Sequence, residues 1–123
     1  MKKFFSKEED NNMINVISID FSFFDSNLIE SMESMFYGCN SLESVDFSNF
    51  FPLQVNNMAN VFYGCSSLKT IDNSEFVVLM VETMNSMFYG CSSLETINLS
   101  NFNTSLVTNM NTIFYGCSSL KSI

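Results

Sequence analysis

The 123-residue chain contains no histidine and no arginine. Without histidine it lacks the commonest general base, the usual partner of a nucleophilic Ser or Cys, and the commonest zinc ligand, which excludes most familiar enzyme classes. Without arginine, and with 5 lysines against 13 acidic residues, it carries a net charge of -8. That charge repels phosphate backbones and anionic headgroups, so neither nucleic acid nor an anionic membrane surface is an expected partner. No apolar run approaches the ~18 residues a membrane-spanning helix needs, and no membrane insertion is expected. The opening stretch Met1 to Asp10 has two early lysines, but its apolar run stops after Phe4 and Phe5, so it does not read as an export signal.

Glycine, cysteine and tyrosine are scarce, at four each. All twelve lie in four copies of Phe-Tyr-Gly-Cys that begin at Phe36, Phe62, Phe88 and Phe114, each 26 residues after the last. Self-similarity at a period of 20 to 50 residues marks a stack of repeats, each burying its apolar side against its neighbours. With 46% hydrophobic residues the chain can fill a continuous core. The period divides it into a flank at 1–12, a cap or disordered segment, and one repeat domain at 13–123. That domain comprises a degenerate repeat at 13–28, full repeats at 29–54, 55–80 and 81–106, and a partial one at 107–123.

Within a repeat two periodicities follow one another. Met84, Met87 and Phe88 are spaced i, i+3, i+4, which places them on one face of a short helix. Ser31, Asn57, Thr83 and Asn109 precede the corresponding segments as N-caps, and Gly38, Gly64, Gly90 and Gly116 end them at the left-handed position glycine favours. After the Ser-Ser turn, Leu94, Ile97 and Leu99 alternate inward as a short strand, matched by Leu42, Val45 and Phe47, by Leu68 and Ile71, and by Val16, Ile19 and Phe21. Asn73 interrupts the inward set and is expected at a bend or bonded to backbone. Phe24, Phe50, Phe76 and Phe102 form a further core ladder. The expected fold class is therefore an α/β repeat solenoid with one short strand and one short helix per 26-residue coil.

The block running from Val81-Glu-Thr-Met84 through Phe102-Asn-Thr-Ser-Leu-Val-Thr-Asn-Met110 resembles the repeat of BspA-like leucine-rich-repeat surface proteins, and the likeness covers residues 13–123. The resemblance implies a leucine-rich-repeat-like right-handed solenoid at the cell surface or secreted. It further implies a non-enzymatic adhesin that attaches to a protein or glycan ligand of host or matrix. The missing export signal leaves a cytoplasmic location open, with an intracellular leucine-rich-repeat scaffold as the alternative.

Two surfaces are candidates for binding. The outward strand positions Asp20, Ser44, Asp46, Ser48, Thr70, Asp72, Ser74, Thr96, Asn98 and Ser100, with Ser18 and Ser22, form a polar ladder that either bonds nearby backbone or recognises a ligand. The loops Phe51 to Leu53 and Val77, Val78 and Leu79 share a phase in adjacent coils and form an apolar patch. No cofactor, metal or catalytic residue is expected. Cys39 and Cys117 would lie roughly 15 Å apart in a stack, too far to share one zinc ion, and equivalent side chains point in parallel, so buried free thiols are expected, with disulfides as the alternative. The end at Lys121-Ser122-Ile123, partway into a strand, reads as a fragment of a longer array or as an edge for end-to-end self-association.

Overall fold

A computed structural model describes residues 17–21 and 23–123. The flank at 1–12, Val16 and Ser22 lie outside the described residues. Ile19, Val45 and Ile71, each β-branched and set between polar neighbours, centre three strands: β1 (Ser18–Asp20), β2 (Ser44–Asp46) and β3 (Thr70–Asp72). These form one parallel sheet in the order β1-β2-β3, with Ser18, Ser44 and Thr70 in register and Asp20, Asp46 and Asp72 likewise. Every partner lies 26 residues away, so each coil stacks on the next in repeat phase. Parallel pairing needs a crossover of a dozen residues or more, which the rest of each coil supplies.

That crossover contains no helix among the described residues, which overturns the expected α/β, leucine-rich-repeat-like right-handed solenoid with a helix in every coil. A run of overlapping turns takes its place. The N–H groups of Met35, Tyr37 and Cys39 bond back three residues, to the carbonyls of Met32, Ser34 and Phe36, each at 3.1 Å. The N–H groups of Met32, Ser34, Phe36 and Gly38 instead cross to the carbonyls of Asn57, Ala59, Val61 and Tyr63 in the next coil, at 2.9, 2.9, 2.9 and 2.7 Å. Met58, Asn60, Phe62 and Gly64 donate in the same way to the third coil, and Met84, Ser86, Phe88 and Gly90 to the fourth.

The physical reason lies in the ends of a short helix. A single helical turn or two leaves most of its N–H and C=O groups without partners, whereas alternating turns hand every second N–H to the neighbouring coil. The backbone conformation enforces the choice. Ser34, Asn60, Ser86 and Thr112 have φ of 57°, 57°, 53° and 54°, and the glycines four residues later have φ of 73–78°. Left-handed residues cannot continue a right-handed helix, but they suit the third position of a type II turn. Ser31, Asn57 and Asn109 then accept the N–H two residues on, at 3.2, 2.9 and 3.1 Å, closing side-chain turns in place of helix caps.

The residues assigned to the core are largely buried in it. Met84, Met87 and Phe88 are fully buried, as are Leu42, Leu68 and Leu94. Phe36, Phe62, Phe88 and Phe114 stack face to face with centroids 5.2, 5.5 and 5.6 Å apart. Each such pair contributes about 0.5–1.5 kcal/mol beyond its burial. Cys39, Cys65 and Cys91 are buried, Cys117 is half-buried, and all four are free thiols. Cys65, Cys91 and Cys117 each donate Sγ–H to the carbonyl of Phe36, Phe62 or Phe88 one coil earlier, at 3.1, 3.2 and 3.0 Å.

Asn73 marks a fault in the stack. One coil earlier the equivalent link runs from the Phe47 N–H to the Asp72 carbonyl at 2.8 Å. At the next step the buried side-chain amide of Asn73 donates to the Asn98 carbonyl. The sheet ends at β3, and at the strand phase pairing resumes as an isolated bridge between Thr96 and Ser122.

Two outcomes follow from this packing. Gly64→Ala, which puts a side chain on a left-handed residue, lowers stability by about 1–2 kcal/mol in urea denaturation, and an unchanged midpoint contradicts the turn assignment. Burial pushes the Cys39 thiol from about 9 up to about 11 and also raises Cys65, Cys91 and Cys117. Unfolded thiols ionise near pH ~8.5, so their contribution is whole below that pH and is lost as pH rises through each raised folded value, about 11 for Cys39. Denaturation at successive pH values checks this, with a shallower alkaline decline expected for Cys65→Ala.

Candidate functional site

The sheet brings five of the proposed polar residues onto one surface. Asp20, Ser44, Asp46, Thr70 and Asp72, with Ser18 and the strand centres, line an open trough of about 450 Å³. Adjacent strands lie about 4.8 Å apart, so the in-register carboxylates form a closely spaced acidic column. Ser48, Ser74, Thr96, Asn98 and Ser100 do not line the trough. Four of these five instead help define the end of their own strand segment.

The local chemistry behind this is the side-chain turn. Asp46 accepts the N–H of Ser48 at 2.8 Å, Asp72 that of Ser74 at 3.2 Å, and Asn98 that of Ser100 at 2.9 Å. Ser74 adds its hydroxyl to Asp72 at 2.9 Å. The Ser48 backbone and side-chain hydrogen bonds hold the Asp46 carboxyl below its ordinary range. These carboxylates thus serve the backbone through one oxygen while standing at an exposed face. Among the described residues no group of three or more His, Cys, Asp or Glu side chains is arranged to hold a metal ion.

The apolar patch has different members from those expected. Phe51, Leu53 and Leu79 are exposed, but Val77 is half-buried and Val78 is fully buried, bridging to Phe102. Val78 turns inward because Phe76 and Val81 are also buried and the loop between them is too short to lift it out. The exposed set extends to residues the loop comparison passed over. Leu28 and Leu106 sit at turn apices closed by Ile29 N–H to Ser26 O and Val107 N–H to Thr104 O, and Leu53 at one closed by Val55 N–H to Pro52 O. Leu79 and Met80, at the bend after Val78, hold the phases of Leu53 and Leu28 respectively. The signal was in the sequence as an apolar residue recurring three to four places after each Phe24-phase ladder position, hidden among polar neighbours such as Asn27 and Ser105.

A third column is the tyrosines. Tyr37, Tyr63, Tyr89 and Tyr115 stack with centroids 4.8, 4.5 and 4.9 Å apart and planes within 17° of parallel. Desolvation, then the neighbouring phenols of Tyr63 and Tyr115, raises the Tyr89 hydroxyl above its ordinary value. The rings cover one another, so their faces are spent on the stack.

Among the described residues no helix is long and apolar enough to cross a membrane. No curated protein and no solved structure matches the chain. One family model matches residues 1–123, that described as "Mycoplasma protein of unknown function, DUF285". A 26-residue stack with an acidic, serine-lined sheet face is thus the form taken by this chain, which belongs to the DUF285 family.

Proposed function

We propose that the chain is a non-enzymatic binding module that recognises a protein or glycan ligand through the polar face of its sheet. The observation that supports it best is the trough itself, where three carboxylates and three hydroxyls on β1, β2 and β3 stand in register at one open surface. Aligned acceptors at a fixed interval suit a ligand with repeated N–H, O–H or cationic groups, and repeat proteins commonly bind along an extended face. The resemblance to BspA-like surface proteins favours an adhesin at the cell surface or secreted. The intracellular scaffold remains a second reading, favoured by four thiols that are all unbridged.

Asn98 supplies the test. It closes the same side-chain turn as Asp46 and Asp72 with an amide oxygen, so Asp→Asn removes charge and keeps the turn. The double variant Asp46→Asn/Asp72→Asn should keep its denaturation midpoint within about 0.5 kcal/mol at neutral pH. Binding of the full chain to immobilised matrix glycoproteins and to a glycan array should fall at least tenfold. Unchanged binding removes the polar face from the reading. The same variant reports on Asp46 in acid, because a carboxyl held low in the fold stabilises it above the unfolded value and loses that contribution as pH falls. Wild type should therefore lose stability on acidification more steeply than the variant.

A further inference from the structure

The turn apices carry an apolar stripe along the whole described stack. Leu28, Leu53, Leu79, Met80 and Leu106 are 83%, 44%, 48%, 52% and 50% exposed, one or two per coil, at two adjacent repeat phases: Leu28, Met80 and Leu106 at one, where the coil between carries Gln54, and Leu53 and Leu79 at the one before it. Isolated exposed leucines need no explanation, but a row of them at every level of a stack is a surface. It is distinct from the sheet face, which begins 16 or 17 residues later in each coil.

Charge and spacing decide what fits it. Asp25 precedes the first apex, while Glu30 and Glu82 follow the first and third by two residues, all of them exposed. The described lysines are elsewhere, Lys69 paired with Glu43 at 2.8 Å and Lys121 with Glu95 at 2.7 Å. Among the described residues the charged side chains beside the stripe are therefore acidic, with neutral Asn56 and Thr108 at the Glu30 phase of the other two coils. A second copy would bring the same acidic border against it, in a chain already at -8. An anionic bilayer is repelled for the same reason. A partner with a leucine-rich seam and basic flanks has neither difficulty.

Three coil steps of about 4.8 Å span roughly 14 Å, and four successive seam positions of a helix, i, i+3, i+7 and i+10, span about 15 Å. An amphipathic helix laid along the stack axis thus meets one coil with each seam residue. We infer that the turn-apex stripe of Leu28, Leu53, Leu79, Met80 and Leu106, with Glu30 and Glu82 beside it, is a docking surface for a basic amphipathic helix of a partner protein. The mode is recognition of one face of an amphipathic helix, in which apolar anchors give affinity and the flanking charges give orientation.

The test uses the full chain and a labelled 18-residue helical peptide with leucine at the seam positions and lysine at the flanks, read by fluorescence anisotropy. Saturable binding that weakens at least tenfold in Leu53→Asn/Leu79→Asn/Leu106→Asn, with the far-ultraviolet circular dichroism unchanged, is the expected result. Glu30→Gln/Glu82→Gln, which leaves the apolar row intact, should weaken binding several-fold and flatten its salt dependence. A sibling peptide with glutamate flanks should not bind. No binding of the lysine peptide, binding that both sets of variants leave untouched, or equal binding of the glutamate sibling overturns the inference. So does a wild-type dimer in analytical ultracentrifugation that the leucine variants dissolve, which gives the stripe to a second copy. Binding to phosphatidylcholine vesicles lost in the same variants gives it to lipid and also overturns the inference.

Discussion

Everything in this structure depends on the N–H groups that leave one coil and end on the carbonyls of the next. In the turn segment those of Met32, Ser34, Phe36 and Gly38 point toward the second coil, and so on up the stack, while Asn56, Glu82 and Thr108 just before each turn run bond back to the coil below. Such bonds form only if equivalent residues sit at equivalent heights, so they fix the 26-residue register. Once that register is fixed, like side chains must superpose. The phenylalanine and tyrosine stacks, the thiol column and the close approach of one glycine to the next follow from it. Each bond contributes only about 0.5–1.5 kcal/mol net, but leaving a buried N–H unpaired costs more, which makes the register a strong constraint.

Much of this was legible before any coordinates. The four Phe-Tyr-Gly-Cys blocks gave the period, and the period assigned Leu42, Leu68 and Leu94 to the core and Asp20, Asp46 and Asp72 to an outward column. The left-handed glycines were legible too, because glycine at a fixed phase has few other uses. The helix was not there. Spacing of i, i+3, i+4 is shared by a helix and by a run of three-residue turns, so Met84, Met87 and Phe88 are buried either way. The residues that separate the two cases, Ser34, Asn60, Ser86 and Thr112, adopt positive φ without being glycine, and their side chains carry no mark of it. Of the polar column, Asp20, Ser44, Asp46, Thr70 and Asp72 lie on the strands while Ser48, Ser74, Thr96, Asn98 and Ser100 do not line the trough, and the apolar patch lost Val78 to the core and gained Leu28 and Leu106, because short loops of equal polarity can turn either way.

The two proposed binding surfaces are built differently. The sheet face is built by main-chain pairing and presents carboxylates already held by their own turns, so it is rigid and charged. The turn-apex stripe is built by the short loops that reverse the chain and presents aliphatic side chains with an acidic border. Both recur at about the coil interval, and on the proposed reading both would favour partners that are themselves periodic. Asn73 breaks only the sheet's pairing, and the turn ladder runs unbroken past it.

The central claim is that the turn segments bond between coils rather than along a helix. Scalar coupling through the hydrogen bond, measured by nuclear magnetic resonance on uniformly labelled protein, reports the acceptor of each amide directly. The Phe62 amide nitrogen should couple to the carbonyl carbon of Met87, and Gly64 to that of Tyr89. Coupling of Phe62 to Met58, its partner four residues earlier in a helix, would contradict the account.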